Sequence, residues 1–90
     1  MSQAIVDPGE LRRFANTLKK FVGDLQGNLQ AMNGMFLGLS STWRDQEHQK
    51  FADQFEQTML ALSRFVEVTS EHVPFLLRKA DRVEEYLQQR

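Results

Sequence analysis

Few residues of this chain could do chemistry, and the most suggestive of them stand near its midpoint. Asp45 and His48 are three residues apart, the spacing that di-iron helical bundles use on inward-facing helices. Such a site also draws carboxylates from neighbouring helices, and the inward side of the preceding segment offers none between Leu11 and Leu39. We therefore expect Asp45 to be a capping acid and His48 a partly exposed residue one turn before Phe51, with no metal or cofactor bound.

Other catalytic arrangements are absent from the sequence. His72 is too far from His48 along one helix for the two to share a site in one chain. Its imidazole could respond to pH near neutrality, but a structural role is the simpler interpretation. No serine, threonine or lysine stands with a base and an orienting acid at a suitable spacing, and a helical hairpin encloses no pocket. The sequence therefore predicts a protein that is not an enzyme.

Composition narrows the possible partners. The chain has 90 residues and no cysteine, which excludes disulfides and thiolate metal sites. Its 11 basic and 12 acidic residues leave a net charge of −1 without runs of like charge, so we expect no nucleic-acid binding. The first residues lack a signal-peptide pattern, and no segment approaches the roughly 20 apolar residues of a membrane span. We expect a protein that is cytoplasmic, or secreted without a cleavable signal peptide, or both, and not inserted in a membrane.

The N-terminal signals predict a long first helix. Asp7 is placed as the N-cap, Pro8 at the first helical position and Glu10 as the reciprocal capping acid, while Val6 and Leu11 occupy the positions of a hydrophobic staple. Apolar side chains then recur every three or four residues, at Leu11, Phe14, Leu18, Phe21, Leu25, Leu29, Met32, Phe36 and Leu39. This pattern predicts a helix over about 8–39 with one apolar stripe covering about a third of its circumference.

Four glycines lie on the side of this helix opposite the apolar stripe, at Gly23, Gly27, Gly34 and Gly38. Each should cost roughly 1 kcal/mol relative to alanine in a helix interior. Two interpretations remain open. The glycines are tolerated on a solvated face, or they form a groove where another backbone approaches closely.

A second helix follows a short turn. Ser40, Ser41 and Thr42 interrupt the apolar pattern, and Thr42 with Asp45 repeats the capping-box spacing. We predict a turn at 40–42, Thr42 as the cap, and a helix over about 43–89. Its apolar positions are Phe51, Phe55, Met59, Leu62, Val66, Thr69, Val73, Leu76, Ala80, Val83 and Leu87. A connection this short makes the helices antiparallel neighbours, so residues 1–90 form one all-α hairpin domain.

Two prolines suggest where the hairpin ends. Counting from the turn at equal rise places Pro8 level with Pro74, where a kink or break is expected. Residues 75–90 would then project beyond the first helix, either frayed, or covered partly by Met1 to Val6 or by a second molecule. The projecting side chains proposed for interaction are Phe75, Leu76, Val83, Tyr86 and Leu87. We expect the hairpin to dimerise into a four-helix bundle.

The turn carries a family resemblance. Thr42-Trp43-Arg44-Asp45 between two helices, with Phe51 eight residues after the tryptophan, resembles the WXG family of small, early-secreted-antigen-like substrates and partners of type VII secretion systems. Asp45 stands where that family has glycine. The resemblance implies a hairpin that pairs with itself or with a paralogous hairpin, and export in the folded state. A type VII secretion ATPase and a larger effector are further candidate partners.

The resemblance also implies where recognition occurs. In the family it lies in the turn motif, here Trp43, Arg44 and Asp45, and in a tail tyrosine followed four residues later by an acid. Tyr86 matches the tyrosine, and Arg90 occupies the acid's place. The tryptophan ring is expected to plug the end of the hairpin, to form part of a recognition surface, or to do both. The alternative function is an intracellular helical scaffold or adaptor without an export role.

Overall fold

The computed structural model describes residues 6–89, and these residues form two helices. The first, α1, is Pro8–Leu39, and the second, α2, is Gln46–Gln88. The helices are antiparallel, because Arg12 near the start of α1 contacts Asp81 near the end of α2. The predicted all-α helical hairpin is thereby confirmed. It measures 68 × 20 × 14 Å, so it is only one helix thick.

The start of α1 is fixed by a side-chain cap. The backbone N–H groups of Gly9 and Glu10 donate to the Asp7 Oδ1 atom at 2.8 and 3.3 Å. These donors have no partner within the helix, so the carboxylate satisfies them, and Pro8 has no N–H to satisfy. Glu10 lies in the first turn, where a negative charge is favoured by the helix dipole.

The turn is longer than predicted, and Thr42 does not cap α2. The Thr42 hydroxyl donates to the carbonyl of Leu39 at 3.2 Å, and that of Ser41 donates to the carbonyl of Gly38 at 2.7 Å. Both hydroxyls therefore add a second kind of hydrogen bond to carbonyls at the end of α1 that also accept backbone N–H groups of the turn. Asp45 is the N-cap of α2, since its side chain accepts the N–H of His48 at 3.0 Å. The connection comprises residues 40–45, and the predicted start of helix 2 at Trp43 was wrong.

The register of the two helices also differs from the predicted one. Arg12 contacts both Asp81 and Glu84, so the start of α1 lies level with residues 81–84 and not with Pro74. Ala80 has no exposed surface, and α2 continues through Pro74 without interruption. The predicted uncovered segment beginning at residue 75 is therefore wrong, and of the kink or break predicted at Pro74 a break is contradicted by the continuous helix.

The ion pairs of Arg12 close the open end of the hairpin. Its guanidinium lies 2.7 Å from Asp81 and 2.6 Å from Glu84, and the hydrogen bond to Asp81 is the main reason that the pKa of Arg12 is raised above its ordinary value. Exposed ion pairs contribute little to stability. One cation held by two acids of the other helix does, however, favour this register over alternatives shifted by a turn.

The helices meet through small side chains. The buried residues of the described range are Ala15, Val22, Val66, Thr69, Val73 and Ala80, and no large side chain within it is fully buried. The side of α1 that packs on α2 therefore coincides with only part of the predicted apolar stripe. Phe14, Phe21, Met32 and Leu39, predicted to face the second helix, are 48–58% exposed. The stripe is wider than the strip that one neighbouring helix can cover.

Replacing Pro74 with alanine should stabilise the hairpin. Alanine restores a backbone N–H donor and removes the clash of the ring with the preceding turn, so we expect the free energy of unfolding to rise by about 1–3 kcal/mol. Urea unfolding followed by circular dichroism measures this change. A less stable variant would show that α2 needs the geometry imposed by Pro74 to pack on α1.

Alanine at Gly27 and Gly34 should also stabilise α1. A Cβ atom added at either position meets nothing within 4 Å, so each substitution should add about 0.5–1 kcal/mol to the free energy of unfolding. Gly9→Ala is the control, because its Cβ would lie 3.3 Å from the Asp7 Oδ1 atom and crowd the cap. Lower stability or lost partner binding in the Gly27 and Gly34 variants would indicate a groove occupied by another backbone.

Candidate functional site

The turn end of the hairpin is closed by an aromatic cluster of Phe36, Trp43, His48, Phe51 and Phe55. The half-buried Trp43 ring lies 5.2 Å from His48 and 5.9 Å from Phe51 between ring centres. Phe36 lies 4.8 Å from Phe55 and 5.7 Å from Phe51. The tryptophan ring therefore packs on the first turns of α2 at the end of the hairpin, and Phe36 joins the last turn of α1 to the same cluster.

Asp45 holds the tryptophan and the helix start together. Its Oδ1 atom accepts the Trp43 Nε1–H at 2.9 Å and the backbone N–H of His48 at 3.0 Å. The indole N–H is thus satisfied inside the chain, and the ring orientation is tied to the cap of α2. The backbone at Asp45 has φ −90°, a conformation that any residue adopts. Aspartate therefore fits at this position without strain, as the N-cap rather than at the third helical position expected from the sequence.

His48 has a structural role at the turn. Its Nε2 atom lies 2.9 Å from the Ser40 hydroxyl oxygen, and that hydroxyl donates its only proton to the carbonyl of Phe36 at 3.1 Å. The Ser40–His48 hydrogen bond therefore ties the imidazole to the last turn of α1. The imidazole also stacks on Phe36 at 5.5 Å with an interplanar angle of 8°. Within residues 6–89 no cluster of three histidine or acidic side chains could hold a metal ion.

The remaining residues predicted for interaction lie on different surfaces. Arg44 is exposed and takes part in no ion pair within the described chain. Leu76, Val83 and Leu87 are half-buried, whereas Phe75 and Tyr86 are 51% and 62% exposed. The structure thus divides the predicted tail set into a partly covered group and an outward-facing pair.

One side of the hairpin is an apolar face that the sequence pattern identified only in part. Its members are 42–69% exposed: Phe14, Phe21, Met32, Met35 and Leu39 of α1, and Phe51 and Phe65 of α2. The Phe21 and Phe65 rings meet edge to face at 6.4 Å across the helices. Nearer the turn, Met32, Met35, Leu39 and Phe51 line one groove, with Phe36 and Phe55 at its floor. Met35 and Phe65 were missed because the predicted series stepped from Met32 to Phe36 and from Leu62 to Val66 and so passed over both.

The opposite side of the hairpin carries a groove with a mixed lining. Its central part is lined by Gln26, Gln30, Asn33 and Ser63 together with Leu29, Met59 and Val66, and toward the open end Lys19 and Ser70 lie beside Val22, Val73, Pro74 and Leu77. Leu37 and Leu60 are exposed exceptions near the turn. Along the described chain, neither helix is sufficiently long and apolar to cross a membrane.

Substitutions at Asp45 test its double role. Asp45→Ala removes the acceptor of both the cap and the indole bond, so we expect a loss of about 1–2 kcal/mol in the free energy of unfolding. Asp45→Asn keeps an acceptor oxygen and should change stability by less than about 0.5 kcal/mol. Urea unfolding read from Trp43 emission and from circular dichroism measures both variants. An asparagine variant as unstable as the alanine variant would contradict the role of Asp45 as a hydrogen-bond acceptor.

Comparisons with known proteins agree with this geometry. The chain aligns with crystal structures of EsxB, described as a secreted protein from Bacillus anthracis str. Sterne. A proline-to-alanine variant of EsxB superposes with a TM-score of 0.82 at 25% identity, covering 94% of this chain and 96% of EsxB. The wild-type protein gives 0.76 at 25% identity, with coverages of 93% and 97%. A glutamate-to-glutamine variant gives 0.77 at 26% identity, with 96% of both chains covered.

The sequence itself identifies the family. No curated protein matches the chain significantly. The profile of the WXG100 family, described as proteins of 100 residues with WXG, matches residues 3–86. That range contains both helices except the last residues of α2, together with the turn tryptophan. The chain is a member of the WXG100 family, with Trp-Arg-Asp at its turn.

Proposed function

We propose that this chain is a non-catalytic subunit that pairs through its apolar face with a second hairpin and is exported by, or assists export through, a type VII-like secretion system. The family match and the secreted EsxB structures support this proposal. WXG100 proteins are substrates or partners in such systems. Whether this chain is itself the cargo or the chaperone of another protein is decided by the secretion experiment below.

The observation that carries the pairing is the exposed apolar face. Burying a large apolar side chain that would otherwise stay in water contributes about 1.5–3 kcal/mol, and seven such side chains lie on one side of the hairpin. A contiguous apolar surface of this kind is typical of a protein interface and unusual on a monomer. A second hairpin laid on this face would complete a four-helix bundle.

We propose a second copy of the chain as the occupant of this face. None of the seven side chains that form the face is charged, so a second copy meets no like charge there. Lys20, next to Phe21, is already neutralised by Asp24 at 2.8 Å, and this hydrogen bond is the main cause of its raised pKa. A paralogous hairpin is the alternative occupant. The mass of the purified chain without any second protein separates these two cases, because only pairing with a second copy then gives a dimer.

The turn is proposed to present the ring of Trp43 and the charge of Arg44 to the secretion machinery. The indole N–H is engaged by Asp45, so a partner would contact the face or edge of the ring rather than its N–H group. Arg44 is exposed beside it. Tyr86 is exposed at the opposite end of α2, and Arg90 lies outside the described residues.

Charge on the apolar face tests the pairing. The double variant Phe21→Glu, Met32→Glu should shift the purified chain from dimer to monomer in sedimentation equilibrium at about 50 μM, since four buried carboxylates per dimer would be desolvated. The matched control Gln26→Glu, Gln30→Glu places the same charges in the groove on the opposite side of the hairpin and should remain dimeric. Equal masses for both double variants would contradict pairing through this face.

A secretion assay tests the cellular role. We expect the tagged chain to appear in the medium of intact cells, and to be retained when the FtsK-type ATPase of the secretion system is deleted. Trp43→Ala should reduce export at least tenfold relative to Trp43→Phe, because phenylalanine keeps an aromatic plug. Retention inside wild-type cells under all conditions would favour the scaffold function instead.

A further inference from the structure

Two methionines lie beside each other on the apolar face. Met32 and Met35 are three residues apart in α1, which places their side chains on the same side of the helix. They are 48% and 69% exposed, and the value for Met35 is the highest of any large apolar side chain within residues 6–89. Both thioether groups are therefore accessible to solvent in the single hairpin.

The groove around these methionines is lined by apolar side chains. It has a volume of about 330 Å³, and none of the side chains that line it is charged or carries a hydroxyl or amide group. The lining consists of Met32, Met35, Phe36, Leu39, Phe51 and Phe55. A thioether suits this groove, because it is apolar and flexible and adapts to irregular aromatic neighbours. A polar group introduced at the same place would have no side chain of the groove to bond with.

Hydroperoxides introduce such a group at methionine. The sulfur attacks one oxygen of hydrogen peroxide, so that a sulfur–oxygen bond forms while the oxygen–oxygen bond breaks. The other oxygen leaves with both protons as water. Sulfur is thereby oxidised by two electrons and the peroxide is reduced by two. The product, methionine sulfoxide, is polar and is returned to methionine by sulfoxide reductases.

We propose that Met32 and Met35 form an oxidation site at which a hydroperoxide releases the hairpin from its second copy. The inference rests on the proposed pairing through the apolar face. Oxidation takes place on the unpaired hairpin, where both side chains are exposed. Pairing would then bury each sulfoxide oxygen among apolar side chains, where it loses its hydrogen bonds to water without gaining others. The oxidised chain therefore stays unpaired until its sulfoxides are reduced.

Met59 provides a comparison within the chain. It is half-buried and lines the grooves on the opposite side of the hairpin, beside Asn33 and Ser63. A sulfoxide at Met59 lies outside the apolar face, and the amide and hydroxyl groups of these neighbours can donate to its oxygen. Oxidation of Met59 should therefore leave the pairing unchanged.

Peroxide treatment of the purified chain tests this inference. Sedimentation equilibrium should show a dimer before treatment, and the dissociation constant should rise at least tenfold once peptide mass spectrometry finds Met32 and Met35 oxidised. Circular dichroism verifies that the oxidised chain remains helical. Sulfoxide reductases for both epimers, supplied with a thiol reductant, should restore the original dissociation constant.

Variants at the methionines locate the effect. Met32→Leu, Met35→Leu keeps the apolar volume and removes the oxidisable sulfurs, so its dissociation constant should change less than about twofold on treatment. Met32→Gln, Met35→Gln carries a polar group of similar length and should pair at least tenfold more weakly without any peroxide. The matched control Met59→Leu keeps the proposed site and should respond to peroxide as the wild-type chain does.

Three results would overturn the inference alone. They are a dimer that persists after complete oxidation of Met32 and Met35, equal weakening of the leucine double variant by peroxide, and faster oxidation at Met59 than at either proposed position. A chain that is monomeric before treatment would contradict the proposed pairing itself, and the inference with it. The mass of the untreated chain therefore distinguishes the failure of the proposed function from the failure of the oxidation site.

Discussion

A pair of antiparallel helices forms a single layer, and this constraint governs the rest of the molecule. The hairpin is 14 Å thick, so side chains between the helices remain accessible from both sides. Only small residues such as Ala15 and Ala80 become fully buried at the seam, and no large side chain in the described range does. Large apolar side chains can leave water only when another layer is added. The exposed apolar face is thus a consequence of the architecture, and it is the basis of the proposed pairing with a second hairpin.

Two sets of contacts fix the register along this thin seam. At the turn, the aromatic cluster, the Trp43–Asp45 hydrogen bond and the Ser40–His48 hydrogen bond connect the helix ends. At the open end, Arg12 connects α1 to two acids of α2. Asp45 is central to the turn because one carboxylate oxygen caps α2 and holds the indole ring. The structure therefore accommodates aspartate at the third position of the family motif by giving it two hydrogen bonds.

The sequence was most informative where the structure depends on residues that are close together along the chain. The bounds of α1 follow from Asp7, Pro8 and the apolar period, which are local signals. The inward positions of α2 were also predicted well, since Val66, Val73 and Ala80 are buried. The length of the turn was not predicted correctly, because Thr42 can bond either to the carbonyls of α1 or to the N–H groups of α2. Only the folded chain shows that Thr42 bonds to α1 and that Asp45 is the cap. The sequence also did not show which residues of the α1 stripe pack on α2 and which stay exposed, because periodicity does not tell how wide a strip one neighbouring helix covers.

The most direct test of the account is the concentration dependence of thermal unfolding of the wild-type chain. If a second copy covers the apolar face, folding is coupled to association, and the midpoint temperature must rise as the protein concentration increases from about 1 to 100 μM. We predict a rise of several degrees over that range. A sharp, cooperative transition at one temperature across the range, with a monomer mass throughout, would show that the single layer is stable by itself and would contradict the account.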